Sequence, residues 1–278
     1  MKPLFILLFA IACFPFGELC GQKVIMLDNP SFEQQERGAG IVPAGWMDLG
    51  DVAQTPPDIQ PGFFGVTFSP QHGKTYLGLC VRENNTWEGV GQKIIMLDNP
   101  SFEQQERGAG IVPAGWMDLG DVAQTPPDIQ PGFFGVAFPP QEGNSYLGLS
   151  VRENNTWEGV GQILDHFLQK DSSYLFSVWL SRSNTFRSAT GYKKEPENFG
   201  AATVLKVWGY NTRTKQEELL AESQPVGHSK WVRYEFVLKP TLADYDELDL
   251  MAYYAPGHEK KNGNLLIDNC SAIVKVDK

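Results

Sequence analysis

The sequence predicts an all-β protein: an antiparallel β-sandwich of the jelly-roll type, preceded by a partial duplicate of its own N-terminal third. Three observations carry this. Residues 161–278 contain several short stretches rich in β-branched and aromatic residues, with period-two alternation and turns between them. Helical patterning is weak, and Lys215–Glu222 (KQEELLAE) alone reads as a short helix or equally as a strand. Residues 21–90 recur at 91–160 with seven changes in seventy positions, whereas 161–278 has no second copy.

Taken in order, residues 1–21 read as a secretory signal, with Lys2 as the positive start, Leu4–Phe16 as the apolar core and Gly21 before Gln22. The apolar run is short for a bilayer span, and no later segment is apolar enough. The expectation is a secreted chain (periplasmic, outer-membrane-associated or extracellular) with no membrane span once mature. The repeated unit opens on Ile94–Leu97 and turns at Asp98-Asn99-Pro100. Residues 104–145 are rich in Gly and Pro and read as ordered loop. Strands are expected at Tyr146–Val151 and Trp157–Leu164, then at Tyr174–Ser181, Thr203–Tyr210, Trp231–Leu238, Leu248–Tyr254 and Leu265–Ile273. In Trp231–Leu238, Val232, Tyr234, Phe236 and Leu238 share one parity, and Arg233 and Glu235 the other. The complete domain is therefore 91–278, about the size of a jelly roll. The first copy, 22–90, lacks the sheets that would cover its strands and is not expected to form a core by itself.

A formal charge of −10 argues against nucleic acid, which demands a basic surface. Cys80 and Cys270 remain after signal removal, too few for a disulfide framework. His72, His166, His228 and His258 are scattered, without zinc spacing. There is no G-x-S-x-G and no Cys with an evident His partner, so the chain reads as non-catalytic. Its many carboxylates leave a glycoside-acting hydrolase as an alternative, because such pairs come from separate strands.

Asn99-Pro100-Ser101-Phe102-Glu103, then Gly115-Trp116, then Leu266-Ile267-Asp268-Asn269 resemble the galactose-binding-like jelly rolls of carbohydrate-binding modules. Pro126–Gly132, Gly143-x-x-Tyr146-Leu147-Gly148, Val151–Asn154, Thr156-Trp157-Glu158 and Asn262–Asn269 resemble a domain of secreted bacterial envelope proteins, the type found ahead of OmpA-type peptidoglycan-binding domains. No OmpA-type segment follows here, so tethering by that route is not expected. The resemblance implies a binding module for carbohydrate or cell-envelope polysaccharide. It also implies a structural Ca2+, held where the N-x-x-F-E start meets a carboxylate on the last strand: Glu103 and Asp268, with Asn99 nearby. Those carboxylates equally suit hydrogen bonds to turn amides. A structural or adhesive envelope protein making protein contacts is a further alternative.

Sugar binding needs an exposed aromatic face for C–H groups and planar polar side chains for hydroxyls. Arg152, Glu153, Asn154 and Trp157 combine these in one loop, and Trp116, Phe133, Phe134, Tyr210, Tyr253 and Tyr254 are further candidates. Trp157 suits a ligand or the core equally, whereas Trp179 and Trp208 are expected in the core. Arg152 and Glu153 suit a local salt bridge equally.

Of the two front copies, copy 2 is expected to dock on 161–278, being joined to it directly. Docking of copy 1 requires looping out seventy residues, a modest entropic cost. It would also bring Cys80 to the place of Ser150, within reach of Cys270. Copy 1 is otherwise an appendage, or a swapped element in a homo-oligomer.

Overall fold

The computed structural model describes residues 32–43, 46–50, 56–71, 73–80, 90–92, 94–121, 126–189 and 195–276. The signal-like segment 1–21, with Cys13 and Cys20, lies outside them. Copy 1 contributes β1 (Trp46–Asp48), β2 (Asp58–Gln60), β3 (Tyr76–Gly78) and β4 (Val90–Gln92). Copy 2 supplies β5 (Ile94–Ile95), β6 (Met117–Asp118), β7 (Asp128–Gln130), β8 (Tyr146–Arg152) and β9 (Thr156–Trp157), and leads into β10 (Gly159–Leu168). The single-copy part continues with β11 (Ser173–Ser181), β12 (Arg187–Ser188), β13 (Glu197–Asn198), β14 (Thr203–Tyr210) and β15 (Glu217–Glu222). It ends with β16 (Val232–Leu238), β17 (Tyr245–Tyr254), β18 (Gly263–Asp268) and β19 (Ile273–Val276).

The architecture is the antiparallel sandwich the alternation predicts. One sheet has the order β15-β14-β17-β10-β6, and the other β5-β19-β11-β18-β8-β7, with β16 on β11 and β9 on β8. One parity of each strand points between the sheets. Leu147, Leu149, Val151, Leu265 and Ile267 meet Val160, Leu205, Val207, Leu248, Leu250 and Ala252 there, all at most 1% exposed. This is the main core, and burial of apolar side chains across it is what holds the layers together.

The two outer faces differ. The outer face of the β18-containing sheet carries a smaller cluster: Tyr146 and Leu266 lie under Val136, Phe186 and Phe199, with Phe134, Phe138 and Trp231 packed against them. The Gly- and Pro-rich loop thus covers this face. The other sheet keeps its outer face half-exposed.

Several expectations change in detail. Of Lys215–Glu222, read as helix or equally as strand, Glu217–Glu222 is strand β15: an Asn211 turn feeds it back onto β14, where Trp208 pairs with Leu219 and Tyr210 with Glu217. The long loop contains β6 and β7. Leu265–Ile273 is two strands, because Asn269 takes positive φ and turns the chain. Ser150 pairs with Asn264 on the face away from the main core, whereas Cys270 lies in that core. A cysteine in the Ser150 place would therefore point through the opposite face of the sheet, and the Cys80–Cys270 link is not favoured by this geometry.

Copy 2 supplies strands to both large sheets, whereas the strands of copy 1 form two separate two-stranded ladders. Locally, copy 1 repeats copy 2. Asp58↔Gly78 mirrors Asp128↔Gly148, and Met47↔Gly91 mirrors Met117↔Gly161.

Candidate functional site

The uncovered face is built in rungs across β6, β10, β17, β14 and β15. In one rung Met117 pairs with Gly161, Gly161 with Asp249, Asp249 with Trp208, and Trp208 with Leu219. The next places Gly159, Met251, Lys206 and Glu222 side by side. On the other side Ile163, Glu247, Tyr210 and Glu217 line up. Residues of equal parity share a face, so all these side chains point the same way. At the end of the face Trp157 stacks on Tyr253 with ring centroids 4.9 Å apart, and Lys206 Nζ lies 4.4 Å above the Tyr253 ring. Lys215 Nζ stands 5.7 Å from the Tyr210 ring.

Gly161 makes the centre hollow. A Cβ there would lie 2.7 Å from Asp249 Oδ1 and 2.9 Å from Glu247 Oε1. Both carboxylates thus crowd over one glycine. Burial pushes the Asp249 carboxyl up to about 8, and the charges of Glu247 and Glu217 push the same way. Burial also raises Glu247. The two carboxyl groups hydrogen-bond each other and act as a pair. Beside it, the Trp208 indole N–H is buried without a hydrogen-bond partner among the described residues, while the Asp249 carboxyl on the opposed residue is bonded to Glu247.

The sequence candidates divide. Trp157, Tyr210 and Tyr253 lie on this face. Arg152 does not: it is buried against Glu158, also buried, and Asp128 lies near both. The expected salt bridge exists, but its carboxylate is Glu158 and it sits inside the protein. The Glu153 amide donates to Asn262 Oδ1. Asn154 Oδ1 accepts from the Thr156 amide and hydroxyl, closing the turn before Trp157. Trp116 is buried on Phe102, with its indole N–H donating to Asp98 O. Tyr254 donates its hydroxyl to Arg152 O. Phe133 lines a separate shallow groove of about 590 Å³ with Glu103 and Arg107, and Phe134 stacks on Phe186.

Trp179 and Trp208 both leave the expected core. They occupy outward parity, Trp179 beside Asp268 and Arg233, and Trp208 beside Asp249. Asp249, Lys206 and Gly161 were not singled out by the sequence. The signal for Trp208 was present: it shares parity with Lys206 and Tyr210, and a lysine is poorly suited to the inside of a sandwich.

Glu103 Oε1 accepts the Asn144 and Ser145 amides at 2.8 Å each. Asp268 Oδ2 accepts from Gln141 and Glu142, and Oδ1 from Asn269. Asn99 Oδ1 accepts the Gln104 amide. These side chains pin the loop and the last strand together through turn amides. Among the described residues no cluster of three acidic, His or Cys side chains forms there, so a cation would have to complete its shell from carbonyls and water.

The chain matches no protein-family model and no curated protein. Among solved structures it is similar to a cyclase from Fischerella sp. TAU, at 13% identity and TM-score 0.44, over 66% of this chain and 98% of that one. It is also similar to the CBM22-1 xylan-binding domain from Paenibacillus barcinonensis Xyn10C, at 17% identity and TM-score 0.36, over 64% and 92% of the two chains. A family 16 carbohydrate-binding module overlaps at 14% identity and TM-score 0.35, over 63% and 97%. Overlaps this loose leave the site to be read from its own residues.

Proposed function

We propose that this protein is a non-catalytic carbohydrate-binding module whose ligand lies on the open face of the five-stranded sheet. The observation that carries the reading is the rung Gly161–Asp249–Trp208, with an unpaired indole N–H on the residue opposite the Asp249–Glu247 carboxyl pair. A sugar hydroxyl can accept from the indole N–H and donate to a carboxyl oxygen of the pair. Tyr210, Trp208 and Trp157 offer the apolar surface that sugar rings need. Glu217, Glu222, Glu247 and Asp249 outnumber Lys206 and Lys215 on the face, which favours neutral sugars over uronates. A secreted or envelope setting, with envelope polysaccharide as ligand, belongs to the same proposal, as does a structural calcium at Glu103 and Asp268. Melting that falls on EDTA addition supports the calcium, and unchanged melting removes it.

The test is a glycan array followed by affinity electrophoresis. A neutral glycan should bind, and Trp208→Ala should abolish binding at unchanged melting temperature. Folded protein that binds no glycan, or a variant that binds as well as the parent, overturns the reading. The Asp249–Glu247 pair favours one second reading, a glycoside-acting hydrolase. Release of reducing ends from the bound glycan, lost in Asp249→Asn, is its test.

A further inference from the structure

Copy 1 has the local structure of copy 2 without its cover. Thr75 Oγ1 donates to Phe32 O at 2.6 Å, as Ser145 Oγ does to Phe102 O at 2.7 Å. Gly40 N reaches Asp58 Oδ1 at 2.9 Å, as Gly110 N reaches Asp128 Oδ1 at 2.9 Å. The Glu33 carboxylate takes the Lys74 and Thr75 amides, as Glu103 takes those of Asn144 and Ser145. Ile59 is buried as Ile129 is, yet three other apolar residues that copy 2 packs away are open in copy 1. Leu79 is 52% exposed where Leu149 is 0%. Phe64 and Phe68 are 79% and 81% exposed, where Phe134 and Phe138 pack against the outer cluster. Exposed apolar groups in so prearranged a frame point to a partner surface.

The chemistry of that partner is on view: it is whatever copy 2 packs on, because sixty-three of seventy residues are the same (seventy positions less seven changes). That surface is the 161–278 part. We propose that residues 21–90 are an alternative first third that takes the place of residues 91–160 on the 161–278 part of the same chain. The tether keeps the local concentration high, so the same chain is favoured over a neighbour. The seven changes fit the seat with small losses. Thr75 keeps the hydrogen bond that Ser145 makes. Cys80 fills the place of Ser150, 2% exposed, with a group of similar size that tolerates burial. The bond from Asn269 to Glu142 is lost, since His72 stands there. That loss and the direct join of copy 2 to residue 161 both favour copy 2 in the native chain.

The two cysteines report the exchange in the full chain. Cys80 is exposed and Cys270 buried when copy 2 is seated. With copy 1 seated both are buried, and in an unfolded chain both react. Leu149→Asp puts an unpaired charge in the core seat of copy 2. Thiol labelling, resolved by peptide mapping, should show this variant folded and monomeric, with Cys80 labelling about tenfold slower than in the parent and Cys270 still protected. Leu79→Asp should leave the parent pattern unchanged, and Leu79→Asp with Leu149→Asp should unfold and expose both thiols. Full labelling of Cys270 in Leu149→Asp alone overturns the proposal. So does a folded dimer, which would assign the seat to a neighbouring chain.

Discussion

Trp208 and Asp249 stand directly opposite each other on adjacent strands β14 and β17, and the buried Trp208 indole N–H has no partner among the described residues. An unpaired buried polar group costs about 1–3 kcal/mol, so a ligand that satisfies the indole N–H regains that energy on binding. Trp208→Phe keeps an aromatic ring but removes the donor. It should weaken glycan binding about tenfold, and Trp208→Ala by more, as read by isothermal titration with melting temperature as the control.

The same residue sets a pH dependence. Burial and the neighbouring carboxylates push Asp249 up to about 8 in the folded protein, from the 3.8 of an ordinary aspartate. Between these, the native state holds a proton that the unfolded chain has released, so stability falls as pH rises through this window. Burial pushes Asp268 and Asp128 the same way, to about 7 and about 6. Melting should therefore be higher at pH 5 than at pH 8.5. Glu158 is raised by burial as well, to about 7. Asp249→Asn should therefore reduce the slope most above pH 8, where the groups raised to about 6 and about 7 are largely deprotonated, by up to about 1.4 kcal/mol per pH unit.

The parts legible in the sequence were those written within one strand. Period-two alternation gave the sandwich, and the parity of Tyr210 and Tyr253 followed from it. What a strand faces is set by register with strands forty residues away. The outward parity of Trp208 is legible in β14, where it matches Lys206 and Tyr210, but the residue opposite it, Asp249, is placed only by β17. Arg152 looks like a ligand residue in its loop because Glu158, its buried partner, is separated from it by a turn. Gly161 reads as an ordinary strand glycine until the two carboxylates above it are located.

Arg152 and Glu158 form an ion pair inside the domain, 6% and 2% exposed. Burial pushes Glu158 up, and the adjacent Arg152 guanidinium pulls it back. Removing the cation strands the carboxylate. Arg152→Met should cost about 3–5 kcal/mol in urea unfolding, while Glu153→Gln, in the same loop, should cost little.

Gly161→Ala separates packing from ligand chemistry on the open face. The added methyl would meet Asp249 Oδ1 at 2.7 Å, Glu247 Oε1 at 2.9 Å and Leu119 Cδ1 at 3.0 Å, so the carboxyl pair must part. At Gly159, one rung away, the added methyl would meet Met251 Cγ at 2.8 Å and the backbone atoms Leu250 O at 3.2 Å and Met251 Cα at 3.4 Å, so it also costs packing but touches no carboxyl group. Overpacking of this kind costs about 1–3 kcal/mol where the neighbours cannot yield. Gly159→Ala should therefore keep glycan binding and the pH profile. Gly161→Ala should weaken binding and reduce the slope, because parting the pair removes the contribution of Glu247 to the raised Asp249 carboxyl and leaves that of burial. If Gly161→Ala melted like Gly159→Ala and still bound glycan, the ligand would have to sit elsewhere on the sheet.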